Sequence, residues 1–437
     1  MNVIEVSAKL RRSLKINVEF FGFLKNSGWL LFDRLVRLLL GVLVSAWVAR
    51  YLGPESYGKL AYAFAFLAFF QVLVSVGLDG IVVREISRDQ TRADLVLGTA
   101  LTLRIATGLL GWLFGTLLVW AIGGSDSAVL FALCAAGLAF QAADTVDLWF
   151  QSCSRSVRTV VSKLCAYGVS NAAKVLCIVN EAPLTYFAVI ASLEVVLSAL
   201  ALYISYRGDS IQRPWRFEAE RVVPMLKESW PVLVSGLAII AYLKSDQLMV
   251  EHFMGVEALG IYYSAVTLTS LCYFVPVLLN TSSAPFLHRL AASDAAKFDR
   301  LMRQYFSAVF VMGVMAFLFL YFLAEPLVLL LYGADYLAAV NVIKVHSLAV
   351  VFIFMGSAQN NWLIAKKQVN QMFYRSLITI SIGVLLNLWL IPWLGLQGSA
   401  LSFVVASAMG LFFSNFFINR DLFLTQITCF SFKRYKA

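Results

Sequence analysis

Apolar runs of about 20 residues recur along the whole chain, parted by short polar stretches that hold most of its charge. At 1.5 Å per helical residue, a run of that length crosses the roughly 30 Å hydrocarbon core of a bilayer. Twelve such spans are read at residues 29–49, 59–78, 95–121, 128–150, 164–180, 184–204, 230–250, 259–281, 305–324, 341–364, 372–392 and 397–418. The fifth is the weakest, since it is short and carries Lys174. The pattern predicts an all-α polytopic membrane protein with about 12 transmembrane helices.

The placement of Lys and Arg checks that count. With the N-terminus and every second loop on the cytoplasmic side, those segments carry 26 basic residues, and the opposite side carries two, Arg50 and Lys59. A missed span would exchange the sides of everything after it, so this split supports both the count and cytoplasmic N- and C-termini. Residues 1–25 mix Lys9, Arg11, Arg12 and Lys15 with Leu10, Leu14, Ile16, Phe20 and Phe21. They read as a basic amphipathic helix on the cytoplasmic face with no cleavage site, leaving the first span as the expected insertion signal.

Composition narrows the class further. Of 437 residues, 60% are hydrophobic and 14% charged, against about 25% charge in soluble domains, which excludes an ordinary soluble enzyme. The net charge of +10 follows from the loop bias. Attraction to anionic membrane lipids accounts for it, and no nucleic-acid partner is required. The six cysteines and three histidines are scattered, without disulfide or metal-ligand spacing, so neither a metal nor another cofactor is expected.

An internal repeat organises the spans. Residues 51–63, YLGPESYGKLAYA, match residues 253–265, FMGVEALGIYYSA, at an offset of 202, pairing Gly53 with Gly255, Glu55 with Glu257, Gly58 with Gly260 and Ala63 with Ala265. Each copy is the outer loop between the first and second helix of a six-helix block, which predicts two like-facing, pseudo-symmetric lobes. The expected divisions are an amphipathic segment 1–28, an N-lobe 29–204, a cytoplasmic linker 205–229, a C-lobe 230–418 and a cytoplasmic tail 419–437. Glu55 and Glu257 are expected to cap the helices that follow the turns.

Charge inside the spans carries the candidate chemistry. Arg37, Arg104, Lys174, Lys244, Lys344 and Arg375 lie within or at the ends of spans. A lone Arg or Lys at a helix centre costs about 2.5–3.5 kcal/mol on insertion scales, so such residues face a bundle interior or a wet cavity. Arg37, Arg104, Lys174 and Lys244 are the candidate binding residues for an anionic cargo. Lys344 and Arg375 lie near interfaces, where snorkelling is the expected role. Asp33 could pair with Arg37 within the first helix, whereas Arg104 has no acid within one turn and needs a partner elsewhere. Glu194, Asp246, Asp144 and Asp147 are candidates for ion coupling or gating, because a carboxylate at bilayer depth can take up H⁺ or Na⁺ in exchange for cargo. Glu194 can instead pair with Lys174, and Asp144 and Asp147 with Arg155 or Arg158. Lys244 and Asp246, two residues apart, point to different faces and are expected to find separate partners across the lobes.

Several segments carry a family likeness: ARYLGPESYGKLAYAFAF, SVGLDGIVVREISRD, DTVDLWFQ, LKSDQLMVEHFMGVEALGIYYSAV and LLLYGADY. With Arg37 in the first span, this order resembles the polysaccharide transport family of the multidrug/oligosaccharidyl-lipid/polysaccharide (MOP) exporter superfamily, which includes the Wzx-type O-antigen flippases. The resemblance covers the chain end to end and implies a MATE-like fold in the bacterial inner membrane. It implies a flippase that turns an undecaprenyl-pyrophosphate-linked oligosaccharide across the membrane by alternating access through a cationic cavity, for surface-polysaccharide synthesis such as that of O-antigen and lipopolysaccharide. A polysaccharide polymerase and a chain-length regulator are the implied protein partners. Three alternatives stand beside it. A cation-coupled drug exporter of the same superfamily is disfavoured by the basic surplus in the spans. A peptidoglycan-precursor flippase would usually carry two more helices. A polymerase or ligase needs sizeable outward catalytic loops, and the longest here, about 325–340, carries only Glu325 and Asp335.

Overall fold

The computed structural model describes residues 3–208, 214–368 and 370–428, with side chains from Leu35 onward except at 281, 282, 285 and 428. The amphipathic face of residues 1–25, the side chains of Asp33 and Arg34, and most of the basic tail lie outside the described residues. Every regular element among the described residues is helical. Contacts gather the chain into two compact units, Met1–Val44 with Phe70–Leu233, and Ser45–Phe69 with Val234–Ala437.

The first unit draws on α1 (Val3–Ser75), α2 (Asp79–Arg88), α3 (Ala93–Ala135), α4 (Asp144–Ser152), α5 (Ser156–Val179), α6 (Leu184–Arg207) and the start of α7 (Ala219–Met254). The second contains the rest of α7, then α8 (Val256–Ser270), α9 (Phe274–Ser293), α10 (Ala295–Leu331), α11 (Ala339–His346), α12 (Leu348–Ala365), α13 (Asn370–Leu394), α14 (Leu396–Ala408), α15 (Asn415–Ile418) and α16 (Arg420–Thr428). Nine stretches among the described residues are long and apolar enough to cross a bilayer. Two of these, Leu35–Arg88 and Gln90–Ser152, each hold two rods parted by a glycine with non-helical dihedrals, Gly53 and Gly124. α5 falls short of the nine because Lys163, Asn171 and Lys174 lower its hydropathy. Counting these rods and α5 recovers the twelve helices of the pattern, with the fifth again the weakest.

In the first unit α5 lies along α6, which also meets α3. The amphipathic α2 buries Ile81, Val82 and Ile86, the last two in a knot formed with Leu97, Trp149, Phe150 and Leu202. Fully burying an aliphatic or aromatic side chain of this kind contributes about 1.5–3 kcal/mol, so the knot fixes where α2 and α4 present their polar faces.

In the second unit the two copies of the repeated turn meet. Gly53 has φ 74° and ψ 169°, and Gly255 has φ 84° and ψ 175°, left-handed backbone that strains any residue with a Cβ. One turn further on, a Cβ on Gly58 would lie 1.8 Å from the carbonyl oxygen of Val256, and one on Gly260 would lie 2.0 Å from that of Pro54. The contact is reciprocal, each glycine meeting the backbone of the other copy. The glutamates do not cap as expected: Glu55 accepts from Lys59 Nζ at 2.6 Å, and α8 begins with no side-chain cap. A lysine one turn on offers a charged donor, a stronger partner than a backbone N–H. A second echo lies at Asp89 and Asp294, whose extended dihedrals agree (φ −145° and −152°, ψ 93° and 94°). Each side chain accepts a backbone N–H at 2.9 Å, from Thr91 and Lys297 respectively.

Candidate functional site

Two adjoining cavities of about 520 and 200 Å³ open in the first unit and share Gln141, Asp144 and Lys163 in their walls. The packing of α2 against the knot sets Asp79, its first residue, at the rim of the larger one. Arg104, about three turns into α3, reaches the same wall and donates from Nη2 to Asp79 Oδ1. The two ends of this ion pair differ sharply: the Arg104 side chain is 2% exposed and that of Asp79 is 65% exposed. Arg104 Nη2 also lies 3.4 Å from Ser75 O, while its buried Nε has no hydrogen-bond partner.

Opposite them Lys163 of α5 bridges both acids of α4, with Nζ 2.7 Å from Asp144 Oδ1 and 3.1 Å from Asp147 Oδ2. Asp144 and Asp147 are three residues apart and so share a helix face, which lets one ammonium serve both. The expected partners Arg155 and Arg158 precede the turn of α5 that faces this wall; Arg158 instead stacks over Phe150 and donates to Ser205 O. In the smaller cavity Arg37 stands near Glu194. The Arg37 guanidinium lies 5.0 Å over the Tyr167 ring, and the Tyr167 hydroxyl donates to Arg37 O at 3.0 Å. Glu194 accepts from Ser170 Oγ at 2.8 Å, and Lys174 Nζ stands 3.5 Å from it.

The second unit treats its charges differently. Asp246 is buried and accepts from Tyr262 Oη at 2.7 Å and from the Gln247 N–H at 2.8 Å. Lys244 donates to Gln247 Oε1 at 3.2 Å and lies 5.5 Å over the Tyr263 ring. Both Lys244 and Asp246 meet Gln247, and the partners seen lie in their own unit rather than across the lobes. Lys344 lies 5.8 Å over the Tyr321 ring. Arg375 overturns the snorkelling expectation. It is 3% exposed and donates from Nη1 to Gln359 Oε1 at 2.7 Å, and its Nε and Nη2 have no partner. Gln359 in turn donates to Leu411 O in the single π-helical turn Met409–Phe413.

The sequence family described as polysaccharide biosynthesis protein matches residues 23–291, more than half of the chain. The chain belongs to this family. The family described as lipid II flippase MurJ matches residues 175–436, so the two together span nearly the whole length. No curated protein matches the chain. Among solved structures, an inward-facing multidrug resistance MATE family transporter of the MOP superfamily is similar at 14% identity, covering 92% of this chain and 96% of that one with a TM-score of 0.74. The lipid II flippase MurJ in an inward closed conformation aligns at 15% identity over 93% of this chain and 90% of that one, with a TM-score of 0.72. A MOP superfamily transporter from Pyrococcus furiosus gives 13% identity, coverage of 94% and 96%, and a TM-score of 0.65. The polysaccharide biosynthesis family member is thus a multi-pass membrane protein of MOP fold, of flippase or transporter type.

For this family member, Arg37, Arg104, Glu194, Asp144 and Asp147 line the two cavities of the first unit. Lys174 reaches them through Glu194, and Lys244 and Asp246 belong to the second unit. Sequence reasoning missed Asp79, Arg84 and Lys163, all wall residues of the larger cavity. Asp79 and Arg84 fall in the quoted SVGLDGIVVREISRD segment, which was the available signal. Each cation that enters an ion pair here, Arg84, Arg104, Lys163 and Lys174, does so with an acid of the same unit.

Proposed function

We propose that the protein is a flippase for an undecaprenyl-pyrophosphate-linked oligosaccharide, carrying it from the cytoplasmic to the periplasmic leaflet of a bacterial inner membrane, with both termini cytoplasmic. The observation that carries this reading is the charged, hydrogen-bonding cavity of the first unit, where Arg84, Arg104 and Lys163 stand with Asp79, Asp144, Asp147 and Gln141 inside an otherwise apolar chain. A lipid pyrophosphate bears about two negative charges, cannot cross hydrocarbon unaided, and matches guanidinium geometry in bidentate fashion. The glycan needs a wet passage with donors and acceptors, which Gln71, Gln141 and Gln151 offer. Membership of the polysaccharide biosynthesis family and the match to a lipid II flippase family support a lipid-linked sugar as cargo. O-antigen and other surface polysaccharides are pathways such a carrier serves, with a polymerase and a chain-length regulator downstream.

Coupling to H⁺ or Na⁺ antiport is assigned in this reading to Glu194 and Asp246. Asp246 accepts from the Tyr262 hydroxyl, and Glu194 from the Ser170 hydroxyl with Lys174 Nζ 3.5 Å away; a neutral hydroxyl partner tolerates exchange of a bound cation.

Arg37→Ala and Arg104→Ala proteins at normal abundance should accumulate lipid-linked oligosaccharide in the inner leaflet, and Lys at either position should rescue in part. Wild-type surface polysaccharide in both Ala variants would overturn the reading. Proteoliposomes of Glu194→Gln and Asp246→Asn should lose the response of transport to an imposed H⁺ or Na⁺ gradient. A full response in both removes the pair from coupling.

A further inference from the structure

We propose that Asp79 is an internal stand-in for the cargo phosphate, holding Arg104 between transport cycles and yielding it when a pyrophosphate enters the cavity; this rests on the anionic-cargo reading above. The case begins with the asymmetry of the pair. Arg104 is almost wholly buried, whereas Asp79 stands mostly in the open on the cavity rim. Leaving a buried guanidinium without an anion is costly, while an exposed carboxylate recovers its hydration as soon as it swings away. Asp79 is therefore the exchangeable member and Arg104 the fixed one.

The pairing is also incomplete. The guanidinium has five N–H donors, yet only Nη2 is engaged, shared between Asp79 Oδ1 and Ser75 O, and the buried Nε is unpartnered. A single carboxylate oxygen does not make the parallel two-bond match of which arginine is capable. A pyrophosphate brings more charge and several oxygens, so it can occupy donors that Asp79 leaves idle. A neutral or cationic molecule cannot replace the carboxylate without stranding Arg104. The exchange thus selects for an anionic headgroup at a cavity whose resting charges are balanced.

Displacement of Asp79 also has a route outward. Asp79 begins α2, and the same helix carries Arg84, paired with Glu228, and Glu85, 3.9 Å from Arg221. Glu228 and Arg221 lie in the first turns of α7. Releasing Asp79 loosens the inner hold on α2 while its ties to α7 remain, so headgroup binding reaches α7 through one short helix.

The test measures binding of inorganic pyrophosphate, with sulfate at matched ionic strength as comparison, to the full-length protein in nanodiscs. Asp79→Asn should bind pyrophosphate about tenfold more tightly than wild type, the effect of removing a competing partner from one buried charge. Asp79→Ser, smaller and likewise uncharged, provides the same reading should the amide variant fail to fold. Arg104→Ala should lose the binding. If wild type binds pyrophosphate and both neutral variants bind it equally or more weakly, the exchange is overturned and the transport reading stands. An equal gain for sulfate and pyrophosphate also overturns the exchange, as a general effect of charge. Absence of binding in wild type and in both neutral variants overturns the anionic-cargo reading itself.

Discussion

The two units bury charge by opposite means. In the first, cations at the cavity wall meet carboxylates: Arg104 with Asp79, Lys163 with Asp144 and Asp147, Lys174 with Glu194. In the second, the buried charges rest on neutral groups: Asp246 on the Tyr262 hydroxyl, Arg375 on the Gln359 amide, Lys244 on the Gln247 amide and the Tyr263 ring. An ion pair at a solvated wall can trade one anion for another without leaving its cation unpaired. A lone charge on a neutral partner retains its net charge until an ion or a proton joins it. The difference teaches that one chain can hold its buried charge in two ways, as balanced wall pairs in one unit and as charges on neutral partners in the other.

That division can be broken at several points. The largest effect is expected from Arg104→Ala, which removes the buried member of a wall pair; hydrogen bonds to charged groups are worth about 1.5–3 kcal/mol, so transport should fall by roughly 10- to 100-fold in a leaflet-accessibility assay. Unchanged transport would mean the wall pair is only structural. Lys163→Met should follow, since it leaves Asp144 and Asp147 facing each other with no cation between them. A loss of about 1 kcal/mol by thermal unfolding in detergent is expected, and a second change, Asp144→Asn, should recover most of it. The smallest effect is expected from Arg375→Met in the other unit. Replacing a poorly partnered buried charge by an apolar side chain of similar length is often neutral or stabilising, so the melting temperature should hold or rise. A fall as large as that for Lys163→Met would erase the contrast between the units.

Much of the fold was legible before any coordinates. The spacing of apolar runs and the loop charge yielded twelve spans, and the weakest of them is the one helix whose polar residues depress its hydropathy. The 202-residue repeat marked Gly53 and Gly255, whose backbone angles agree closely. Partner choice was less legible, because it depends on helix rotation and not on spacing alone. Arg104 was known to need an acid from elsewhere, but Asp79 lies beyond the end of a span, where an acidic residue reads as part of a solvated loop. Arg375 was misread for a related reason. Nearness to a span end permits snorkelling, but Arg375 faces α12 and its Gln359, an orientation that hydropathy does not encode. Lys163 looked like one more topogenic cation, and its role follows from the rise of α5 past the first turn of α4.

The contact between the repeated turns sets a glycine of each copy against a carbonyl of the other, beside the Tyr57 and Tyr263 rings, one from each copy, at 5.4 Å. At the glycine crossings the seam has backbone on both sides and room there for hydrogen alone. Side chains lining the cavities can change without disturbing those crossings, provided two small hydrogens stay where they are. Diversity of cargo and constancy of architecture can then be inherited on separate accounts.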